Sequence, residues 1–373
     1  MKTALERPIR ILHLPDVIGG HPPALAKGER ELGLRSETLS CQPSVYEYEA
    51  DTILGSESDP LLKKVRDRWT SFLNVRNAFD VFHFNFGASL LNFPRYGAIV
   101  PELGFYSRDA ARFMTWQGDD ARLTYPQELD LSLAEEIRRK RWDGPKSARS
   151  FVSPMRLLKR RLAISRSASK CNHMFALNPD LLRHLPPEKT SFLPYAIEPP
   201  RGAQPSPAAL NRPAHRPLKL VHLSTSPVIK GTGLIETAVE KAKREVAIEF
   251  DLVVKKPRAY AIERLSKADY LIDQLVLGWY GGTVVEAMYL GVPSIGHIAQ
   301  AQASAAGELG RDVPVIRAEA NTLADVIIHL AHNPDARPQY AKKALAFANA
   351  WHRPVKVASV TIEAYERALA GAA

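Results

Sequence analysis

The chain has 373 residues, 45% hydrophobic and 24% charged, a balance typical of globular proteins and unlike that of disordered ones. Two cysteines, Cys41 and Cys171, are too few and too far apart for a disulfide framework or a zinc cluster, which points to a reducing compartment. The length suits two domains, and the formal net charge of +10 is concentrated in one stretch of the chain.

Met1 to Pro8 lacks the apolar core of a signal peptide, and no uncharged apolar run reaches about 18 residues. A cytoplasmic protein, soluble or peripheral at the inner face of the membrane, is expected. Ile9 to Leu14 predicts a strand, followed by Gly19-Gly20 and a helical stretch carrying Leu25, Ala26 and Leu32. Ser36 to Cys41, Val81 to Phe86, Arg112 to Trp116 and His173 to Leu177 predict further strands. In the third of these, His83 and Asn85 alternate with Phe82, Phe84 and Phe86. The histidine and asparagine therefore share one face, either lining a cleft or buried in hydrogen bonds. Asp119 and Asp120 follow the fourth strand. They suit hydrogen bonds to a ligand's hydroxyls or a general base, and equally an N-cap or turn pair.

Between Arg138 and Lys170 twelve basic residues stand against one acid, Asp143, so the rest of the chain is close to neutral. Such a block fits an anionic partner, including an acidic membrane surface, or a solvated helix face. No nucleic-acid-binding motif accompanies it. From Glu198 to Pro217 six prolines and few large apolar residues predict a linker.

The β/α rhythm then restarts. Leu218 to Leu223 predicts a buried strand, Lys230-Gly231-Thr232 a turn, and the next helix places Leu234, Ile235, Ala238 and Ala242 on one face. Ile248 to Val254, Tyr270 to Ile272, Pro293 to Ile298 and Pro314 to Ile316 supply more strands. A final helix carries Val355, Ala358, Ile362, Tyr365 and Leu369 as one stripe. Alternation of this kind predicts two doubly wound α/β domains facing a cleft, with ligands beyond the carboxyl ends of the strands. The boundaries read as 1–197, a linker at 198–217, 218–350, and a helix in 351–373 that crosses back to the first domain.

The stretch from Gly278 to Met288 carries the most chemistry. A short strand enters a glycine-rich turn, and the turn opens a helix whose first carboxylate is Glu286. Glycines admit close approach of a ligand, and amides at a helix N-terminus attract phosphate. Read without a ligand, the same residues make a tight turn and a dipole-favoured carboxylate. Lys230 at a loop tip is a solvated charge or a phosphate cation. His21 suits a ligand contact or a surface position, and Trp116, Trp279 and Tyr280 suit packing or stacking.

The order of Gly19-Gly20, Lys230-Gly231-Thr232 and GWYGGTVVEAMYLGVPSIG resembles the glycosyltransferase family four branch of the GT-B superfamily. Phe82 to Gly87, Gln117 to Arg122 and Asn178 to Leu182 are similar to other blocks of such enzymes. The resemblance implies transfer of a hexose from a UDP- or GDP-type sugar to a hydroxyl of a glycan or lipid-linked acceptor, with retention and without a cofactor or metal. It implies that Glu286 holds the donor ribose and Lys230 the diphosphate. Gly281, Gly282 and Thr283 would meet the pyrophosphate or sugar, and Gly19 and Gly20 the diphosphate from the other domain. Three positions depart from the pattern. Gly278 stands where the earlier of two glutamates is usual, with Asp273 as a substitute. Thr225 stands where an arginine partners the lysine, leaving Lys255, Lys256 or Arg258 to supply the second cation. Gln117 stands where a histidine faces the donor sugar. A non-catalytic nucleotide- or glycan-binding protein derived from such a transferase stays open. A dinucleotide-dependent oxidoreductase is disfavoured, because Gly19-Gly20 lacks the G-x-G-x-x-G spacing.

Overall fold

The computed structural model describes residues 7–125, 153–200, 210–211 and 213–371, and divides into two compact units. The first is built from residues up to Leu123, Pro154–Glu198 and His352 onward; the second is built chiefly from Pro199–Trp351.

In the first unit, β1 (Arg10–Leu14), β2 (Arg35–Ser40), β3 (Thr52–Ile53), β4 (Val81–Asn85), β5 (Ala111–Trp116), β6 (His173–Ala176) and β7 (Thr190–Phe192) form one parallel sheet. Its order is β3-β2-β1-β4-β5-β6-β7. The order reverses between β1 and β4, which pair through Ile11 and Val81. Alternate residues feed opposite faces, as a two-residue period requires. Leu12, Leu14, Phe82, Phe84 and Met114 pack under α2 (Leu61–Val75) and α3 (Pro154–Lys170). Ile11, Val81 and Phe113 pack on the other face, with Leu25 of α1 (His21–Glu31).

The second unit is a five-stranded parallel sheet of β8 (Leu218–Ser224), β9 (Ile248–Val254), β10 (Tyr270–Ile272), β11 (Ser294–Gly296) and β12 (Val315–Arg317), ordered β12-β11-β10-β8-β9. It is covered by α4 (Thr232–Ala242), α5 (Arg258–Ser266), α6 (Gly282–Tyr289), α7 (Leu323–His332) and α8 (Arg337–Trp351). Here the order reverses between β8 and β10. The chain then ends in α9 (Pro354–Ala370), which packs on α1 of the first unit.

A buried polar network fastens α9. Glu29 of α1 is fully buried, and its carboxylate accepts from His13 Nε2 (2.8 Å), Ser36 Oγ (2.6 Å) and the Tyr365 hydroxyl (3.0 Å). Because Tyr365 spends its proton on Glu29, its oxygen accepts from His83 Nδ1 at 2.5 Å. His83 Nε2 then accepts from Thr115 Oγ1 at 2.6 Å. The alternation in β4 therefore sends His83 into structure: Phe82 and Phe84 face one core, and His83 faces the helix opposite.

Several expectations are corrected. The stripe on α9 is centred on Val357, Ala358, Thr361, Ala364 and Tyr365, while Val355, Ile362 and Leu369 are only half-buried at its margins. On α4, Leu234 is exposed and Val239 takes its place in the core. β3 and β7 are additional edge strands. Of the basic run, Arg138 to Arg149 lie outside the described residues, and Arg156 to Lys170 stand on α3.

Burial holds His83 well below the usual histidine range, pushes His21 down to about 3, and pushes His352 down to about 4. A histidine whose folded pKa lies below its unfolded value contributes stability that is full above about 6.5 and lost as pH falls toward the folded value, at about 1.4 kcal/mol per pH unit. In urea titrations, His83→Gln should flatten the pH dependence of unfolding free energy below pH 6 by about that slope. Tyr365→Phe, which leaves His83 and Glu29 short of a partner, should cost about 1–3 kcal/mol at neutral pH.

Candidate functional site

In the second unit the side chains with chemistry gather at the carboxyl ends of β8 and β10, where the strand order reverses and open parallel sheets have their crevice. After β8, the turn Pro227–Lys230 ends on Gly231, and Lys230 points to the end of β10. Its Nζ lies 2.7 Å from Asp273 Oδ1. Asp273 follows β10 directly and is 1% exposed. Beneath them His222 of β8 donates from Nδ1 to the Ile272 carbonyl (2.8 Å), so Nε2 accepts from Thr232 (2.9 Å). Burial, reinforced by nearby Lys230, pushes His222 down to about 4, so it stands neutral in one tautomer.

Glu286, one turn into α6, is buried and accepts from Arg258 Nε at 2.7 Å. Burial pushes its carboxyl above the usual range, while Arg258 and, secondarily, Lys230 pull it back. Of Lys255, Lys256 and Arg258, it is Arg258, the first residue of α5, that pairs with Glu286. Two cations and two carboxylates so flank the first turn of α6; its N-cap, Gly281, has no side chain to cap it, and the Gly281 amide donates to Asp273 Oδ2 at 3.4 Å.

The glycines of the turn have different reasons. Gly278 has a φ of +70°, and a Cβ there would lie 2.7 Å from Ala299 Cβ. In this conformation neither the backbone nor the space admits a side chain, which accounts for the glycine at 278. Gly281 is ordinary extended backbone (φ −105°, ψ 179°), so its conformation does not demand glycine, and a Cβ would meet nothing within 4 Å. Gly281, Gly282 and Thr283 are half-exposed, whereas the rest of α6 is buried. Trp279 and Tyr280 are buried and stacked on each other with ring centroids 4.8 Å apart, so they are packing residues. The buried Gln274 side chain, unremarked in the sequence, donates to the Trp279 carbonyl and holds the turn.

The remaining candidates belong to the first unit. Gly19 and Gly20 take φ of +67° and +70° between β1 and α1. A Cβ on Gly20 would meet the Tyr48 ring at 2.4 Å, and one on Gly19 would meet Gln117 Oε1 at 3.4 Å. His21 is buried rather than superficial, and its Nδ1 accepts from the Ala196 amide at 2.9 Å. Asp120 closes the turn after β5, accepting from the amides of Gln117 (3.0 Å) and Gly118 (2.6 Å), and burial pushes it up to about 6. Asp119 is half-buried and lies 3.3 Å from Arg122, whose guanidinium also bonds buried Asp180 at 2.6 Å. No group of three or more metal-ligating side chains occurs among the described residues.

No protein-family model and no curated protein matches the chain. Solved structures do. The sucrose-phosphate synthase of Thermosynechococcus elongatus aligns with 97% of this chain and 100% of its own, with a TM-score of 0.61 and 14% identity. A glycosyltransferase of Rickettsia africae aligns with 97% and 99%, with a TM-score of 0.58 and 12% identity. Anabaena HepE in complex with UDP-glucose aligns with 96% and 100%, with a TM-score of 0.57 and 12% identity. The chain has the GT-B fold. At identities this low the GT-B likeness carries the architecture, two Rossmann-like units, and the chemistry has to be argued from the side chains.

The two turn glycines give a direct test of that argument. Gly278→Ala should destabilise by about 1–3 kcal/mol, because it meets both a positive φ and Ala299. Gly281→Ala should change unfolding free energy by no more than about 0.5 kcal/mol. Urea denaturation of both variants measures the difference.

Proposed function

We propose that the protein transfers a hexose from a UDP- or GDP-type nucleotide sugar to a hydroxyl of a glycan or lipid-linked acceptor, as a retaining enzyme akin to glycosyltransferase family four. The observation that carries this reading is the pairing of Lys230 with Asp273 and of Arg258 with Glu286 around the open first turn of α6. Departure of a nucleoside diphosphate builds negative charge on the leaving group and positive charge at the anomeric carbon. Preorganised cations and amide dipoles stabilise the first of these. Lys230 and Arg258 supply the cations, and the half-exposed backbone of Gly281, Gly282 and Thr283 supplies the dipoles. In this reading no metal is required, since two side-chain charges do the neutralising.

Glu286 is suited to the paired hydroxyls of a ribose, because a buried carboxylate oriented by one guanidinium keeps acceptor capacity for a diol. Asp273 takes the place of the carboxylate that Gly278 cannot carry, and the Lys230 bond presents it beside the turn. Anabaena HepE, of the same fold, has been solved with UDP and with UDP-glucose, which supports a nucleotide-sugar donor here. We assign the acceptor to the first unit, with Asp119 on the acceptor hydroxyl.

Calorimetry with UDP, GDP and their hexose conjugates tests the donor assignment. Glu286→Ala and Lys230→Ala should each weaken the bound nucleotide at least about tenfold, the loss expected of one charge-assisted hydrogen bond. Wild-type affinity in both variants overturns the assignment. Gly281→Ala should weaken binding without loss of stability. Release of free hexose, or its transfer to an added acceptor, unaffected by chelator, separates an enzyme from a binding protein.

A further inference from the structure

Among the described residues, the face of the first unit that carries α2 and α3 leaves large apolar side chains exposed. On α2, Leu62, Val65, Trp69 and Leu73 recur every three or four residues along one side, with exposures of 84%, 42%, 50% and 48%. On α3, Met155 and Leu158 are each 59% exposed. Both helices turn their inner sides to the same core, Phe72 from α2 and Ala163 and Ile164 from α3. The segment from Asn92 to Ser107 bridges them. Arg68 donates to the Asn92 carbonyl (3.3 Å), the Ser107 amide donates to Arg76 (2.9 Å), and Arg166 donates to the Ile99 carbonyl (2.5 Å). The two outer stripes therefore look out on the same side. Exposed apolar area of this extent marks an interaction surface.

Its charge says what covers it. Residues 61–75, 92–108 and 154–170 hold twelve Lys and Arg against two acids, Asp67 and Glu102, and Asp59, just before α2, pairs with Lys63 at 2.7 Å. Glu102 is buried, bonded to Ser89 at 2.7 Å and to the Leu91 amide at 3.0 Å. On α3 there is no acid, and at 100° per residue Lys159 and Arg161 fall on either side of the stripe made by Met155 and Leu158. A second copy of this face would oppose like charge to like charge. An apolar stripe bordered by cations matches a bilayer whose acyl boundary meets anionic headgroups.

We infer that the protein docks on an anionic lipid surface through the outer sides of α2 and α3, apolar side chains entering the acyl boundary and flanking cations meeting the headgroups. This surface is independent of the donor chemistry. It also extends the basic run to a helix, α2, whose contribution is apolar.

Flotation of the full chain with vesicles of phosphatidylcholine alone, or of equal parts phosphatidylcholine and phosphatidylglycerol, tests it. The wild type should bind the anionic vesicles and be released by salt. Leu62→Ser/Leu158→Ser should weaken binding about tenfold, and Lys159→Gln/Arg161→Gln by a similar factor. Both should melt as the wild type does, since all four side chains are at the surface. The control Leu234→Ser/Tyr260→Ser, on the second unit, should bind like the wild type. Absence of wild-type binding to anionic vesicles, or unchanged binding of the Leu62/Leu158 variant, overturns the inference. So does a dimer in sedimentation velocity that this variant dissolves while vesicles go unbound. Nucleotide calorimetry on the same preparation separates the two readings: donor binding without vesicle binding removes this inference alone.

Discussion

Two carboxylates withdrawn from water at the end of a parallel sheet, Asp273 and Glu286, govern the arrangement of the second unit. Burying a carboxylate is costly unless a cation and further donors accompany it. Asp273 recruits Lys230 from the turn after β8, and Glu286 recruits Arg258 from the start of α5. Each pair joins two β/α connections, so satisfying the charges also fixes the loops. The result is a rim in which positive groups are held by internal partners while remaining beside the open N-terminal turn of α6. On the proposed reading, a ligand bearing a diphosphate and a diol would find both signs of charge already oriented, which would lower the reorganisation that binding demands.

Much of this architecture is legible in the sequence because central parallel strands are buried on both faces and read as short apolar runs. Leu218 to Leu223 and Tyr270 to Ile272 are such runs, and the structure places them as β8 and β10 side by side. β3 and β7 escape notice for the opposite reason. They are edge strands of two and three residues whose side chains are exposed or half-buried, so no pattern of burial marks them. The displaced stripe of α9 has another cause. Thr361 joins the buried side because its hydroxyl is satisfied there, bonded to the Ala358 carbonyl at 3.0 Å and 3.4 Å from Glu29 of α1, and apolar periodicity alone gives a threonine no such weight.

The candidate site is legible in part for the same kind of reason. Lys230, Gly281 and Glu286 stand out through local features: a strand end, a glycine turn, a helix start. The Arg258–Glu286 pair joins residues from two helices and carries no local spacing, so the sequence leaves three cations open and only geometry shows which one meets Glu286. Gly278 shows the converse. In sequence it reads as a lost carboxylate, whereas its positive φ and the proximity of Ala299 show a backbone position that the turn reserves for glycine. A neighbouring carboxylate, Asp273, is held at the rim by Lys230.

The two units use buried histidine alike, though only one places it under a candidate site. His83 and His222 each sit in a strand near the reversal of order, each fully buried and held in one tautomer by a carbonyl or hydroxyl on one nitrogen and a threonine hydroxyl on the other. Neutral imidazole is the form that burial selects, and it offers one donor and one acceptor in fixed directions. In the first unit that polarity is spent on Tyr365 and fastens the last helix. In the second it ties the end of β10 to the first residue of α4, the helix that follows Lys230. The lysine consequently stands on a turn whose strand and helix are both pinned from below, and its reach toward Asp273 is set by the sheet rather than by a mobile loop.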